Sequence, residues 1–248
     1  MNLFKTSLLA ATMLTTGFVY VNAQTADEIM DKHEKAIGGL DNWNKIKTLK
    51  ASGSMSQQGM EIAIVQTIES GKGLRMDINA MGMSGFQIVT TNDGWSYMPF
   101  MGSAKVDTMK PEMVKGQQKQ LDLKSHQLLD YKTNGSKLEY VGKDTINNSA
   151  CYKVKITDKE GNESTNFIDC STYYLMRTET KVKHDDEETE VAVVYGNYKK
   201  MDEGVVMAMS IIPQGQEITW KTIEINKPID KNTFKPIIEK TEAKEIKK

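Results

Sequence analysis

Alternation of apolar and polar residues dominates the chain after residue 47 and predicts β-strands. Between residues 61 and 69, Ile62, Ile64, Gln66 and Ile68 occupy one set of alternate positions, and the other set is mixed. A period of two places each set on its own face of a strand. Short segments of this kind recur with turn residues between them, a spacing that is typical of an antiparallel meander.

The alternating segments form two series. The first is Thr48–Met55, Glu61–Glu69, Leu74–Asn79, Gly85–Thr91 and Trp95–Met98. The second is Lys137–Val141, Ala150–Thr157, Thr165–Ser171, Tyr174–Lys183, Glu190–Tyr198, Val205–Ile212 and Glu217–Ile225. We therefore expect roughly ten to twelve strands in one large, curved antiparallel sheet, without an internal repeat or an interdomain linker.

Two segments have helical signals. Residues 25–47 open with Thr25 and Glu28, which are spaced as a capping box. Gly38-Gly39 interrupts the apolar stripe, and a short second helical turn is predicted to start at Asp41-Asn42-Trp43. Residues 112–131 follow Pro111 and lie between the two strand series, where one or two amphipathic helices would cover one face of the sheet. The fold class that these patterns predict is α+β and mainly β.

The ends of the chain are predicted to lie outside the fold. Lys5 precedes a mostly apolar stretch, and Val21-Asn22-Ala23 is typical of a cleavage site, so residues 1–23 are predicted to be a signal peptide. Residues 24–240 are predicted to form one domain, and residues 241–248 a charged tail. We expect the mature protein to be exported, soluble and periplasmic.

Methionine is concentrated in the first strand series. Of the 16 methionines, those between residues 55 and 113 are Met55, Met60, Met76, Met81, Met83, Met98, Met101, Met109 and Met113. Methionine is flexible and polarizable, and it lines surfaces that accept apolar partners of variable shape. Two hypotheses follow: a cavity for a flexible apolar ligand, or a loosely specified core.

Charge and chemistry exclude several function classes. The chain carries 32 Lys and Arg against 33 Asp and Glu, without a basic patch, which argues against nucleic acid. His33, His126 and His184 are far apart, and neither a Gly-x-Ser-x-Gly motif nor a phosphate loop is present. We therefore expect a protein that is not an enzyme and that needs no cofactor or resident metal.

Copper binding is an alternative interpretation of the methionines. Met81-Gly82-Met83 and Met207-Ala208-Met209 are Met-x-Met pairs, and Met98 and Met101 are three residues apart. Soft thioethers bind Cu(I). An apolar lining on one face of a strand produces the same spacing, and no His accompanies these pairs.

The two cysteines, Cys151 and Cys170, flank a predicted hairpin centred on Glu160-Gly161. This centre places them opposite each other, and an exported compartment permits a disulfide. Disulfide geometry is strict, so the alternative is two unpaired, half-buried thiols. We favour the disulfide.

Several segments, in this order, resemble the LolA/LolB-like superfamily of periplasmic lipoprotein carriers and receptors. They are Asn92–Pro99, Phe167–Asp169, Tyr174–Thr178, Tyr198–Val205, and Ile223–Ile229 followed by Phe234. The resemblance implies an incomplete antiparallel barrel around a helical lid, with an apolar interior that receives acyl chains. It also implies an inner-membrane donor and an outer-membrane acceptor, and we expect a monomer.

The resemblance points to lipoprotein acyl chains, or another lipid, as the cargo. A non-catalytic structural or interaction module of the same fold is the alternative. We expect the candidate lining to face the lid: Met55, Met60, Ile62, Ile64, Met76, Met81, Met83, Phe86, Trp95, Tyr97, Met98, Phe100, Met101 and Met113. LolA proper has an arginine that holds its lid closed, but neither Arg75 nor Arg177 can be assigned that role from sequence.

Overall fold

A computed structural model describes residues 24–57, 59–124, 127–184 and 187–236. The predicted signal peptide and charged tail lie outside these residues. The strands are β1 Thr48–Gln57, β2 Met60–Glu69, β3 Gly73–Ala80, β4 Met83–Thr90, β5 Gly94–Tyr97, β6 Asp107–Thr108, β7 Lys137–Ile146, β8 Ser149–Thr157, β9 Glu163–Asp169, β10 Leu175–His184, β11 Glu187–Lys200, β12 Val206–Pro213 and β13 Ile218–Ile225.

The thirteen described strands form one unclosed antiparallel sheet, in the order β6-β5-β4-β3-β2-β1-β13-β12-β11-β10-β9-β8-β7. The predicted sheet is confirmed, and the short β6 is the one described strand that the alternation did not predict. Each series is a meander of neighbours in sequence. The first strand pairs with the last, with Leu49 opposite Ile225, and this pairing joins the two series.

The inner face of the sheet is the one that the helices cover. In β1 and β2 it carries Leu49, Ala51, Ile64 and Ile68, all of which are buried in one apolar cluster. Leu49 lies opposite Ile68, as expected from the alternation around residue 64. The other side is called the outer face, and it carries residues such as Lys50, which is exposed.

The first helical segment is divided at Gly38-Gly39 into two helices, as the sequence indicates, and the second helical segment is shorter than predicted. The helices are α1 Ala26–Ala36, α2 Leu40–Trp43 and α3 Pro111–Gln118, which a 3₁₀ turn at Lys119–Leu121 extends. The capping box of Thr25 and Glu28 is present. The chain leaves α1 through Gly38, whose φ of 107° favours glycine. The predicted helical segment over residues 112–131 is interrupted after Leu121, where Asp122 is extended, and Leu128 has a φ of 57°, outside the right-handed helical range.

The helices divide the inner face into two cores. Ile29 and Met30 of α1 pack with Val154, Ile168 and Leu175 on the second strand series. Around α2 and α3, Trp43, Val114 and Leu121 belong to a larger cluster over the first series, β12 and β13. A helix of 11 residues, such as α1, is marginally stable in isolation. Burial of Ile29 and Met30 against the sheet therefore stabilises α1 more than helix propensity does.

His33 connects α1 to two other elements. Its side chain is 1% exposed. Nδ1 lies 2.8 Å from the Tyr173 carbonyl in the β9–β10 turn, and Nε2 lies 3.1 Å from the Gln127 carbonyl in the segment after α3. A neutral imidazole has one N–H and donates to one carbonyl at a time. The two carbonyls and the charge of Glu34 act to raise the pKa of His33. Burial has the larger effect and lowers this pKa below its usual 6.5.

The C-terminal segment covers part of the outer face. Phe234 packs with Phe86 and Ile88 of β4. A Cβ on Gly73 would lie 2.7 Å from the Phe234 ring, so the absence of a side chain at Gly73 permits this approach. Arg75 donates to the Thr233 carbonyl at 3.1 Å. These contacts hold the last described residues against the first strand series.

We expect the free energy of unfolding to fall as the pH drops below about 6.5, because the unfolded chain then binds a proton that folded His33 resists. Chemical denaturation at pH 7.5, 6.5, 5.5 and 5.0 measures this slope. The His33→Asn variant should lose about 1–3 kcal/mol at pH 7.5 and have a shallower slope. An equal slope in both proteins would contradict this assignment.

Candidate functional site

An open cavity of about 420 Å³ lies on the inner face where β1 ends, β2 begins and β3 ends. We call it the Met cavity because five methionines line it: Met55, Met60, Met81, Met98 and Met101. Ile62, Ile78, Ala80 and Phe100 contribute the remaining apolar lining, and two amides, Gln57 and Gln216, complete it. Volumes of this size are typical of small-molecule sites.

Strand register creates this lining. Met55 lies opposite Ile62, and Met60 lies opposite Gln57 at the end of the β1–β2 ladder. Ile78 lies opposite Ile64 one strand further along. Because residues two apart share a face, the Met cavity continues the inner-face rows beyond the cores that the helices fill.

Met81 has an unusual backbone conformation at the rim. It forms the two-residue turn between β3 and β4 with Gly82, and the φ angles are 53° and 74°. Such a turn favours Asn-Gly, because a left-handed conformation is costly for a larger side chain. The turn presents an apolar side chain that is 62% exposed. A residue that adopts an unfavourable backbone conformation and yet buries no side chain, as Met81 does, is typical of functional sites.

The chemistry of the Met cavity is apolar and uncharged. Among the described residues that line it, none carries a charge, and the polar groups are two carboxamides. Thioether side chains adapt to an irregular apolar partner. The arrangement is suited to burying hydrocarbon, and a buried ionised group would find no charged partner there.

The centre of the inner face is nearly filled. A second cavity of only about 80 Å³ lies between the helices and the sheet, with Trp43, Trp220 and Tyr195 in its wall. Tyr198 donates to the Leu175 carbonyl beside it, and burial raises the pKa of this tyrosine. An engineered cavity of about 150 Å³ binds one benzene, so this space is smaller than a known site for a single small ring.

Eleven of the fourteen predicted lining residues are divided between three places, and the other three lie on the outer face. Met55, Met60, Ile62, Met81, Met98, Phe100 and Met101 line the Met cavity. Ile64 and Met76 lie deeper on the inner face, in or against the larger core. Met83 opens β4 and is 38% exposed, and Met113 on α3 is 53% exposed; neither lines the Met cavity.

Three predicted lining residues lie on the outer face, which corrects the expected inward position. Phe86, Trp95 and Tyr97 pack in the cluster that contains Phe234. Phe86 lies opposite Tyr97 in the β4–β5 ladder, and Gly85 takes the inner position beside it. The register across β3 and β4, rather than aromatic character, decides which face these residues occupy.

Four lining residues were not predicted: Gln57, Ile78, Ala80 and Gln216. Ile78 and Ala80 continue the alternation that includes Met76, so the strand pattern contained the signal for both. Gln216 is far away in sequence. It reaches the Met cavity because the β1–β13 ladder places Met55 opposite Ile218.

Both arginines lie on the outer face, away from the helices. Arg75 pairs with Asp77 at 2.7 Å. Arg177 pairs with Glu179 at 2.7 Å and lies opposite Phe167, which packs with Cys151 on that face. The sheet therefore separates Arg75 and Arg177 from α1, α2 and α3, and in the described part of the chain neither arginine contacts these helices. A different ion pair, Lys119 with Asp158 at 2.5 Å, links the end of α3 to the β8–β9 turn.

The cysteines are free thiols, which corrects the predicted disulfide. The β8–β9 ladder places Cys151 opposite Asp169 rather than Cys170, a register one residue away from the expected one. A shift of one residue sends the two side chains to opposite faces of the sheet. Burial, followed by the Asp169 carboxylate, raises the pKa of Cys151 to about 11.

Within the described parts of the chain, no helix is both long and apolar enough to cross a membrane. No family model matches the sequence, and no curated protein matches it. The similarity of this chain to known proteins is therefore a similarity of three-dimensional structure.

Three crystal structures share the fold at low identity. A DUF1329 family protein from Desulfovibrio piger has a TM-score of 0.55 and 14% identity, over 86% of this chain and 98% of that one. A LolA superfamily protein from Nitrosomonas europaea has a TM-score of 0.51 and 10% identity, over 85% and 98%. An outer membrane lipoprotein-sorting protein domain from Vibrio parahaemolyticus has a TM-score of 0.50 and 13% identity, over 84% and 95%.

We expect both cysteines to react with iodoacetamide in the unfolded protein without prior reduction, and intact mass spectrometry counts the adducts. In the native protein Cys170 should react first, because Cys151 is fully buried and its pKa is raised to about 11. The Cys170→Ala variant should leave one slow thiol. Unfolded protein that takes up no label until it is reduced would indicate a disulfide instead.

Proposed function

We propose that this chain, which has the LolA-like fold, is a non-catalytic periplasmic carrier that holds acyl chains of lipoproteins, or of another lipid, in the Met cavity. The observation that carries the proposal is an open, uncharged, methionine-lined cavity of about 420 Å³ at the end of the inner face that the helices leave uncovered. The predicted export signal and the fold are consistent with delivery from an inner-membrane donor to an outer-membrane acceptor.

Burial of hydrocarbon supplies the binding energy. Each CH₂ group moved from water into an apolar site contributes about 0.8 kcal/mol, so a chain that places several groups in the Met cavity binds without any charged contact. Met60, Met81 and Met101 are partly exposed and can repack around chains of different length. The same adaptability suits a carrier that must later release its cargo.

Deeper entry of a chain requires movement of the helical elements. The next space along the inner face is the cavity of about 80 Å³ beside Trp43. His33 and the ion pair of Lys119 with Asp158 connect the elements that would have to separate from the sheet. We propose that short or single chains use the Met cavity alone, and that larger cargo opens this path.

The first test is lipid analysis of mature protein purified from its host without detergent. We expect co-purified lipid by mass spectrometry, and binding of cis-parinaric acid to protein from which lipid has been removed. Recovery of no lipid together with no binding of the fluorescent fatty acid would refute the carrier function.

A rim variant tests the location of the site. In Met81→Glu/Met101→Glu, two carboxylates replace side chains that are 62% and 79% exposed, so the melting temperature should change little. The Kd for cis-parinaric acid should rise about tenfold or more, because an apolar chain must then lie against charged groups. Met113→Glu is the matched control at a position 53% exposed and outside the Met cavity, and it should bind normally. If Met113→Glu raised the Kd as much as Met81→Glu/Met101→Glu does, the binding site would lie outside the Met cavity.

The second candidate function is a structural or interaction module of the same fold. The nearly filled centre, with only about 80 Å³ of space, favours it. The lipid analysis above discriminates the two, because a module of this kind contains no co-purified acyl chains.

Copper handling has a weaker basis in the arrangement of the thioethers. Met98 and Met101 both line the Met cavity, but Met207 and Met209 belong to the larger core. Among the described residues, no group of three or more His, Cys, Asp or Glu side chains is arranged so that it could hold a metal ion. Metal analysis after Cu(I) titration, with a Met81→Leu/Met83→Leu variant for comparison, tests this alternative.

A further inference from the structure

Three of the five methionines that line the Met cavity are far more accessible to solvent than the methionines of the cores, and the other two, Met55 and Met98, are half-buried. Met60, Met81 and Met101 are 43%, 62% and 79% exposed. Met30 and Met207, which pack in the two cores, are 1% and 8% exposed. Oxidation of a thioether depends on access to the sulfur atom. An oxidant in solution therefore reaches the rim of the cavity while the cores stay protected.

We propose that Met60, Met81 and Met101 form a reversible modification site, at which oxidation by peroxides to methionine sulfoxide lowers the affinity of the Met cavity for apolar chains. This inference rests on the proposed carrier function, since it needs an apolar ligand to exclude. It adds that the affinity of the Met cavity depends on the level of peroxide in the compartment to which the protein is exported.

The chemical step is a two-electron oxygen transfer. The thioether sulfur attacks one oxygen of hydrogen peroxide, the S–O bond forms and the O–O bond breaks. The departing hydroxide takes up the proton of the transferred hydroxyl group and leaves as water. Sulfur is oxidised and peroxide is reduced, so the products are one sulfoxide and one water. Methionine sulfoxide reductases reverse the change.

The lining explains why the sulfoxide would matter. A sulfoxide oxygen is a strong hydrogen-bond acceptor, and among the described lining residues only Gln57 and Gln216 carry side-chain N–H donors. An acyl chain has no donor to offer. A sulfoxide that neither glutamine reaches must keep its water or lose a hydrogen bond when a ligand enters, and both outcomes oppose binding.

The backbone positions of Met60, Met81 and Met101 keep their side chains at the rim of the Met cavity after oxidation. Met81 is fixed in the two-residue turn with Gly82, and Met101 ends a 3₁₀ turn that begins at Pro99. Met60 opens β2 opposite Gln57. All three are attached to the rim rather than to a loop that could carry the modified group away.

The experiment compares binding before and after mild oxidation. Protein in a Cys170→Ala background is treated with hydrogen peroxide, desalted and mapped by peptide mass spectrometry. We expect sulfoxide at Met60, Met81 and Met101, a retained circular dichroism melting curve, and a Kd for cis-parinaric acid raised about tenfold. A mixture of MsrA and MsrB, which together reduce both sulfoxide epimers, should restore the original Kd.

Two variants separate this site from other exposed methionines. Met60→Leu/Met81→Leu/Met101→Leu removes the three oxidisable side chains and retains Met83 and Met113. The Kd of its untreated form for cis-parinaric acid is its own reference, and this Kd should not rise after peroxide. Met113→Leu removes a side chain that is 53% exposed outside the Met cavity, so it should remain as sensitive as the parent protein.

The outcomes distinguish the two proposals. Untreated protein that fails to bind the probe would end the carrier function, and the modification site with it. Normal binding that persists when the three residues are fully oxidised would overturn the modification site alone. An equal loss of binding in the triple leucine variant would assign the effect to other residues and also overturn it.

Discussion

The pairing of the first strand with the last determines the architecture. Each strand series is a local meander, and nothing within either series requires the other. The β1–β13 ladder joins them into one sheet and makes the inner face continuous. Its cost is the closure of a loop of nearly the whole domain, which burial along both strands offsets. Without it, the two cores and the Met cavity would lack a shared wall.

The helices then decide which part of that wall is core and which is cavity. Two groups of helical residues cover the inner face, one centred on Ile29 and one on Trp43, and the rows of apolar side chains extend beyond them. The same alternation that buries Ile64 exposes Met60 at the strand end. The change from aliphatic to methionine side chains along one row coincides with the change from covered to open surface.

Much of the fold could be predicted because its determinants are local. Strand alternation and the capping box at Thr25 depend on residues close in sequence, and both predictions are confirmed. The incorrect predictions depended on register or on distant contacts. Phe86 was assigned to the wrong face, Cys151 was paired one residue away from its partner, and Gln216 joins the cavity only through tertiary pairing. The helical segment after Pro111 is interrupted after Leu121, because Asp122 adopts an extended backbone conformation, with φ −102° and ψ 111°, that composition does not reveal.

An unclosed sheet has two free edges, and here each edge is poorly suited to pairing with another chain. β6 has only two residues, Asp107 and Thr108, which offer little backbone to a partner strand. β7 is longer, but exposed Lys137 and Lys143 lie along it, and its ladder with β8 is irregular at Tyr140/Gly142. Short, charged and irregular edges oppose strand addition. The open barrel can therefore leave a cavity accessible without also becoming a template for aggregation.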